Sequence, residues 1–157
     1  MTPSQRLKEL GLTLPQIAKP IGNYVPAVIS GNHAFTSGQI CFREGKLAFA
    51  GKVPSEVPLA SAMEAARIAG LNGLAAIAAV AGGVDQIARI VRVCVYVATN
   101  PGFTDQPKVA NGASDLLFDV LGEAGRHARS AVGVAELPMN SPVEVEIVAE
   151  LRNNSER

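Results

Sequence analysis

A chain of 157 residues that is 48% hydrophobic fits one domain with a full core. Fourteen Lys and Arg balance fourteen Asp and Glu, and no basic stripe gathers anywhere, so charge gives nucleic-acid binding no support. Aromatic residues make up 4% with no Trp, which leaves the core to small aliphatic side chains and offers few rings on which bases could stack.

The first residues, "MTPSQRLKELGL", are charged and lack the continuous apolar stretch of a signal peptide or the character of a transit peptide. They predict a short helix over residues 2–10, with Thr2 as N-cap, Pro3 at the first helical position and Leu7 and Leu10 on one side; Gly11 ends it. A connector punctuated by Pro and Gly, "LTLPQIAKPIGNYVP", leads to "AVISGNHAFTSGQICF", where two β-type runs flank Gly31 and Asn32 as in a hairpin. A second hairpin is expected in "ICFREGKLAFAGKV", turning at Glu44 and Gly45.

From Leu59 to Ala81 the residues Ile68, Leu71, Leu74, Ile77 and Ala78 recur at helical spacing, and Gly82 and Gly83 supply the stop. Glu64, Arg67 and Asn72 interrupt this stretch, so it falls short of the roughly 20 apolar residues needed to cross a bilayer. "RIVRVCVYVAT" then alternates Val91, Val93, Val95 and Val97 with Arg92, Cys94 and Tyr96, the period of a strand with one apolar side. A second long helix follows through Val109, Ala113, Leu116, Leu117, Val120 and Leu121, closed by Gly122 and Gly125. "SAVGVAEL" reads as a strand, and "VEVEIVAEL" as the last one, with Glu144, Glu146 and Glu150 opposite its apolar face.

These patterns are best buried by an α+β layer with two long helices on one face of a mixed sheet. The chain divides into a helical extension (1–20), a core (20–151) and a polar tail (152–157) expected to fray. On the second sheet face, Arg92, Tyr96, Glu144 and Glu146 would alternate with Cys94, Ala131 and Val148, a half-polar surface suited to contact between copies.

Few side chains carry obvious chemistry. His33, in the predicted hairpin turn, and His127, before a strand, lack partners at metal-ligand spacing, and neither a phosphate loop nor a dinucleotide fingerprint occurs. Ser130 has no nucleophile elbow around it. Cys41 and Cys94 sit in apolar runs as packing groups, consistent with a reducing, cytoplasmic setting, although spacing alone leaves one disulfide open. Arg129 and Glu144 remain. On one strand face they could bind a small carboxylic acid through the guanidinium fork and hold a water on the carboxylate, or simply pair with each other.

"IGNYVPAVISGNHAFTSGQI" followed downstream by "ARSAVGVAELPMNSPVEVEIVAEL" resembles the RidA/YjgF/L-PSP family of imine deaminases, in which a "GxY…SGQI" segment precedes "ARS…V…LP…VEIE". The resemblance implies a chorismate-mutase-like α+β fold, a homotrimer with clefts between subunits, and no cofactor or metal. It implies Arg129 as the clamp for a substrate carboxylate and Glu144 as the acid that orients water or shuttles a proton. Tyr24 and Gly38 would supply an aromatic wall and a backbone contact, Asn111 a helix contact near the cleft, and Ser130 and Ala131 main-chain groups beside the clamp. The implied reaction is hydrolysis of 2-imino acids or their enamine tautomers, such as 2-iminobutyrate and 2-aminoacrylate, to 2-oxo acids and ammonia. Two rival readings are a non-catalytic module binding a 2-oxo acid, and the ribonuclease activity attached to the L-PSP name, which the neutral charge disfavours. The chain departs from the family pattern in having Ala131 where many members have Cys and His127 where the motif has Pro. The N-terminal helix and the longer connection "TNPGFTDQPKVANGASD" read as additions that could reshape the cleft.

Overall fold

The computed structural model describes residues 1–17 and 19–152; the frayed end expected for the tail falls on residues 153–157, outside them. The chain opens with α1 (Pro3–Glu9), where Thr2 and Gln5 form a reciprocal capping box and Pro3 sits in the first turn. Only one side of this helix is fixed: Leu7 is buried while Leu10 is exposed. The Ser4 backbone N–H (2.8 Å) and hydroxyl (2.6 Å) donate to the Asp85 carboxylate, tying the helix to the short turn Val84–Gln86.

Both expected hairpins form. β1 (Ala27–Ser30) and β2 (His33–Thr36) are antiparallel, so His33 begins a strand and does not occupy the turn. β3 (Phe42–Arg43) and β4 (Lys46–Leu47) pair across Glu44 and Gly45, both at positive φ, the backbone that a two-residue turn of this hand requires. Then come α2 (Leu59–Ala81), β5 (Ile87–Ala98), α3 (Gln106–Leu121), β6 (Ala128–Val134) and β7 (Val143–Leu151). The main sheet runs β1-β2-β7-β5-β6. β5 and β6 are parallel, and the other neighbours are antiparallel. The long connection read as an insertion is loop only to Asp105, because α3 already begins at Gln106.

Both long helices lie over one sheet face. Val93, Val95 and Val97 of β5 and Val143, Val145 and Ile147 of β7 are buried beneath them, as their period-two spacing demands. The helices approach closely because small residues line their contact. A Cβ on Gly112 would run into the Met63 carbonyl, one on Gly70 would lie 3.3 Å from the Ala113 Cβ, and one on Gly73 would lie 2.7 Å from the Ile147 Cδ1. α2 is long and apolar enough to span a membrane by length and composition, but it is the central core helix, with Leu74 and Ile77 fully buried. Its polar interruption has a purpose: Asn72 Nδ2 donates to the carbonyls of Ile40 (3.0 Å) and Phe42 (2.9 Å), pinning the segment that follows Gly38.

Gly112→Ala should be the more damaging of two matched substitutions, since the Met63 carbonyl is backbone and cannot rotate away, whereas Gly70→Ala meets another side chain. Overpacking costs about 1–3 kcal/mol, so thermal unfolding of the Gly112 variant should fall by several degrees and that of the Gly70 variant by clearly less.

Candidate functional site

Arg129 belongs to β6 itself. Its Cα partner across the parallel pair is Val93, so its side chain leaves the sheet on the face that the helices cover. Because β6 is an edge strand, the long side chain runs out along α3 to solvent. There Nη1 donates to Asn111 Oδ1 at 2.8 Å and to Ser114 Oγ at 3.1 Å, while Nη2 donates to the Pro107 carbonyl at 3.3 Å. Positions 107, 111 and 114 follow the i, i+4, i+7 spacing of one helix face. The three acceptors are neutral, and among the described residues no carboxylate pairs with Arg129. Its positive charge is therefore held in place without being neutralised, and part of its donor fork stays unused.

His127 lies behind this cradle. Its Nδ1 is 2.6 Å from the Gly125 carbonyl and its Nε2 is 3.0 Å from Ser114 Oγ. Burial pushes the imidazole pKa below its ordinary value; the Gly125 hydrogen bond opposes this, and the Arg129 charge adds to it. Sequence spacing had left both His127 and Ser114 without a role.

Glu144 lies elsewhere. Its Cα partner is Tyr96, so it occupies the sheet face turned away from the helices. Arg129 and Glu144 therefore share neither a strand face nor an ion pair within one protomer. With β7 and β6 two strand spacings apart and Glu144 level with Val132, their Cα atoms are roughly 14 Å apart on opposite faces. Half-burial raises the Glu144 pKa above the ordinary carboxylate range, and neighbouring Glu146 raises it further. Gly38 makes this position possible, because any Cβ there would collide with the Glu144 carboxylate. The Gln39–Val145 backbone pair holds the two segments together at 2.9 and 2.8 Å.

Tyr24 is 57% exposed on the connector ahead of β1. Ser37 Oγ donates to the Val25 carbonyl at 2.6 Å, which places Tyr24's segment beside Gly38 and on the Glu144 side of the molecule. Ser130 also faces away from the helices, accepting from Arg92 Nη2 at 3.2 Å. Ala131 was expected on that open face but pairs with Val95 and packs against the core. Cys41 is buried, Cys94 is half-buried, and both are free thiols. Arg129 and Asn111 thus meet at the edge under α3, Tyr24, Gly38, Glu144 and Ser130 lie on the other side of the sheet, and Ala131 packs against the core.

The comparisons agree with this architecture. Residues 4–151 match the YjgF/chorismate mutase-like family, described as "putative endoribonuclease". Protein TCP17 of Trypanosoma cruzi is 41% identical over 148 residues, which span 94% of this chain and 92% of that one. The crystal structure of Atu1372 from Agrobacterium tumefaciens superposes with a TM-score of 0.87 at 46% identity, covering 96% of this chain and 92% of the other. That of Escherichia coli TdcF with bound serine superposes at 0.61 with 28% identity, covering 87% and 94%. The chain belongs to the RidA/YjgF family, with its chorismate-mutase-like α+β fold.

The hydrogen bonds predict the His127 tautomer. A carbonyl only accepts, so neutral His127 should carry its proton on Nδ1 and titrate below 6.5; long-range nitrogen–proton NMR correlations distinguish the tautomers, and a proton on Nε2 would contradict the geometry. The same shift has a stability consequence. Unfolded chains bind more protons than folded ones from about pH 6.5 down to the lowered folded value, so His127 removes stability as pH falls through that window. Glu144 acts in the opposite sense, since its raised folded pKa makes a contribution that is full at low pH and lost as pH rises through it. His127→Gln and Glu144→Gln, which each remove the titrating group, should flatten the acidic limb and the rising-pH limb of a pH–stability profile respectively.

Proposed function

We propose that this protein is a cofactor-free deaminase that hydrolyses 2-imino acids and their enamine tautomers, among them 2-iminobutyrate and 2-aminoacrylate, to 2-oxo acids and ammonia in the cytoplasm. The observation that carries this reading is Arg129: a guanidinium fixed by Asn111, Ser114 and the Pro107 carbonyl, with no carboxylate partner of its own among the described residues. A planar fork prepared in this way suits a small carboxylate bidentately. The serine bound to TdcF, an amino acid with that same carboxylate, supports the size and chemistry of the ligand.

The proposed chemistry asks little of the protein. Water adds to the C=N carbon as one of its protons passes to a base, and the C=N π electrons move to nitrogen, which is protonated. The carbinolamine then collapses: the acid protonates its nitrogen, the C–N bond breaks with its electron pair leaving on ammonia, and the hydroxyl proton returns to the base as the C=O bond forms. Glu144 is the assigned acid and base, and its raised pKa supports that role because a carboxyl titrating closer to neutrality both accepts and returns a proton efficiently. Tyr24 and Gly38 would flank it, while Ser130 and Ala131 would add main-chain groups beside the clamp.

Since one protomer holds Arg129 and Glu144 on opposite sheet faces, the reading requires a second copy to complete each site. A homotrimer meets that need. The open sheet face displays Val28, Phe35 and Val132 as exposed apolar groups, and the nearby connector and loop add Ile21, Tyr24, Val25 and Met139, a surface that association would cover.

The test is release of ammonia and 2-oxo acid from freshly generated 2-iminobutyrate and 2-aminoacrylate. Arg129→Ala should lower kcat/KM roughly 10- to 100-fold, mainly through KM, as expected for a lost charged hydrogen-bond donor. Glu144→Gln should lower kcat by about 100-fold or more. Native protein that binds a 2-oxo acid without accelerating either decay would establish the non-catalytic binding module instead.

A further inference from the structure

We propose that Ser114 and His127 form a positioning relay that fixes the orientation of the Arg129 guanidinium. The inference rests on the reading of Arg129 as a carboxylate clamp and assigns two further residues to that site.

The Gly125 carbonyl can only accept, so the 2.6 Å contact requires a proton on His127 Nδ1. In the neutral ring, Nε2 then presents a lone pair. Ser114 Oγ lies 3.0 Å away, and its single hydroxyl hydrogen satisfies that lone pair. With the hydrogen committed, the oxygen lone pairs remain for Arg129 Nη1 at 3.1 Å. Each donor meets one acceptor in a fixed direction, from Arg129 through Ser114 and His127 to Gly125.

The alternative for a serine within a helix is to donate its hydroxyl back to a carbonyl one turn earlier. That would leave the half-buried Nε2 unpaired and free the hydroxyl rotor, so Nη1 would meet an oxygen with no set orientation. Burial and the Arg129 charge keep His127 neutral near neutral pH, which preserves the Nε2 lone pair on which the relay depends. The relay also joins three separate pieces of chain: α3 through Ser114, the turn after α3 through Gly125, and β6 through Arg129. Asn111 holds the same nitrogen at 2.8 Å. Together the two acceptors occupy Nη1, the Pro107 carbonyl takes one N–H of Nη2, and Nε–H with the second Nη2 N–H is left for a ligand.

The substitutions can separate positioning from folding. Asparagine at 127 can keep the bond to Gly125 but is too short to reach Ser114, whereas glutamine can present an acceptor near the Nε2 position. His127→Asn and Ser114→Ala should each weaken binding of 2-oxobutyrate, measured calorimetrically, by roughly 3- to 10-fold, the range of one hydrogen bond, and should raise KM with kcat nearly unchanged. The double variant should bind no more weakly than either single one, because both break the same chain. His127→Gln should recover most of the affinity. Unchanged binding in His127→Asn, or fully additive losses in the double variant, would overturn the relay. If native protein binds no 2-oxo acid, the clamp reading fails by itself. The relay is then judged on the Arg129 side-chain Nε–H resonance: His127→Asn must shift it as Ser114→Ala does, and an unmoved resonance overturns the proposal.

Discussion

The close approach of α2 and α3 is the contact on which the rest of this molecule depends. Gly112 has no side chain because the Met63 carbonyl occupies that space, and Gly70 faces Ala113 across the same crossing. The helices can therefore sink together onto β5 and β7 with a core of Ala, Val, Leu and Ile. Asn111 and Ser114 lie on either side of Gly112 in sequence, so the packing that seats the helix also sets the height of the Arg129 cradle above the edge strand. A loosened crossing would move both acceptors relative to β6. Stability and site geometry are coupled here by three or four consecutive positions of one helix.

The second constraint is the two-residue period of a strand. It sends Arg129 beneath the helices and Glu144 to the open face, and no rotamer change brings them together in one chain. Each half is locally complete. The guanidinium has three neutral acceptors, and the carboxylate has a pocket that Gly38 leaves clear and a pKa raised by burial. The half-polar, half-apolar open face carries Val28, Phe35 and Val132 alongside Glu144 and Glu146, the surface on which the proposed second copy would dock.

Much of the fold is legible in the sequence because its signals are periodic and strong. The helical spacing through Ile68, Leu71, Leu74 and Ile77, the alternation of Val93 to Val97, and the turns at Gly31 and at Glu44–Gly45 all mark real elements; Val91 leaves the pattern because the β5–β7 register shifts between Ile90 and Arg92, which puts Ile90 in the core instead. The start of α3 is harder to see. Asp105 makes no side-chain cap bond and Pro107 reads as loop punctuation, although it is well placed in a first helical turn. The faces within β6 are also obscure, because a short edge strand with Gly133 and Ala131 has weak alternation; Ala131 was therefore expected on the wrong side. Ser114 and His127 were missed for a different reason. Their significance lies in contacts across 13 and 15 residues to each other and to Arg129, and no local spacing encodes those. The one available signal was His127 standing where the family motif carries Pro.

In the proposed deaminase, Arg129 and Glu144 serve one site only where two copies of the chain meet. Mixing denatured Arg129→Ala and Glu144→Gln chains in equal amounts and refolding them together tests it. In a trimer with sites shared between neighbours, about a quarter of the sites would combine an intact Arg129 with an intact Glu144, so deaminase activity should return to roughly that fraction of the native level. Activity no higher than that of the two variants refolded separately would contradict the account.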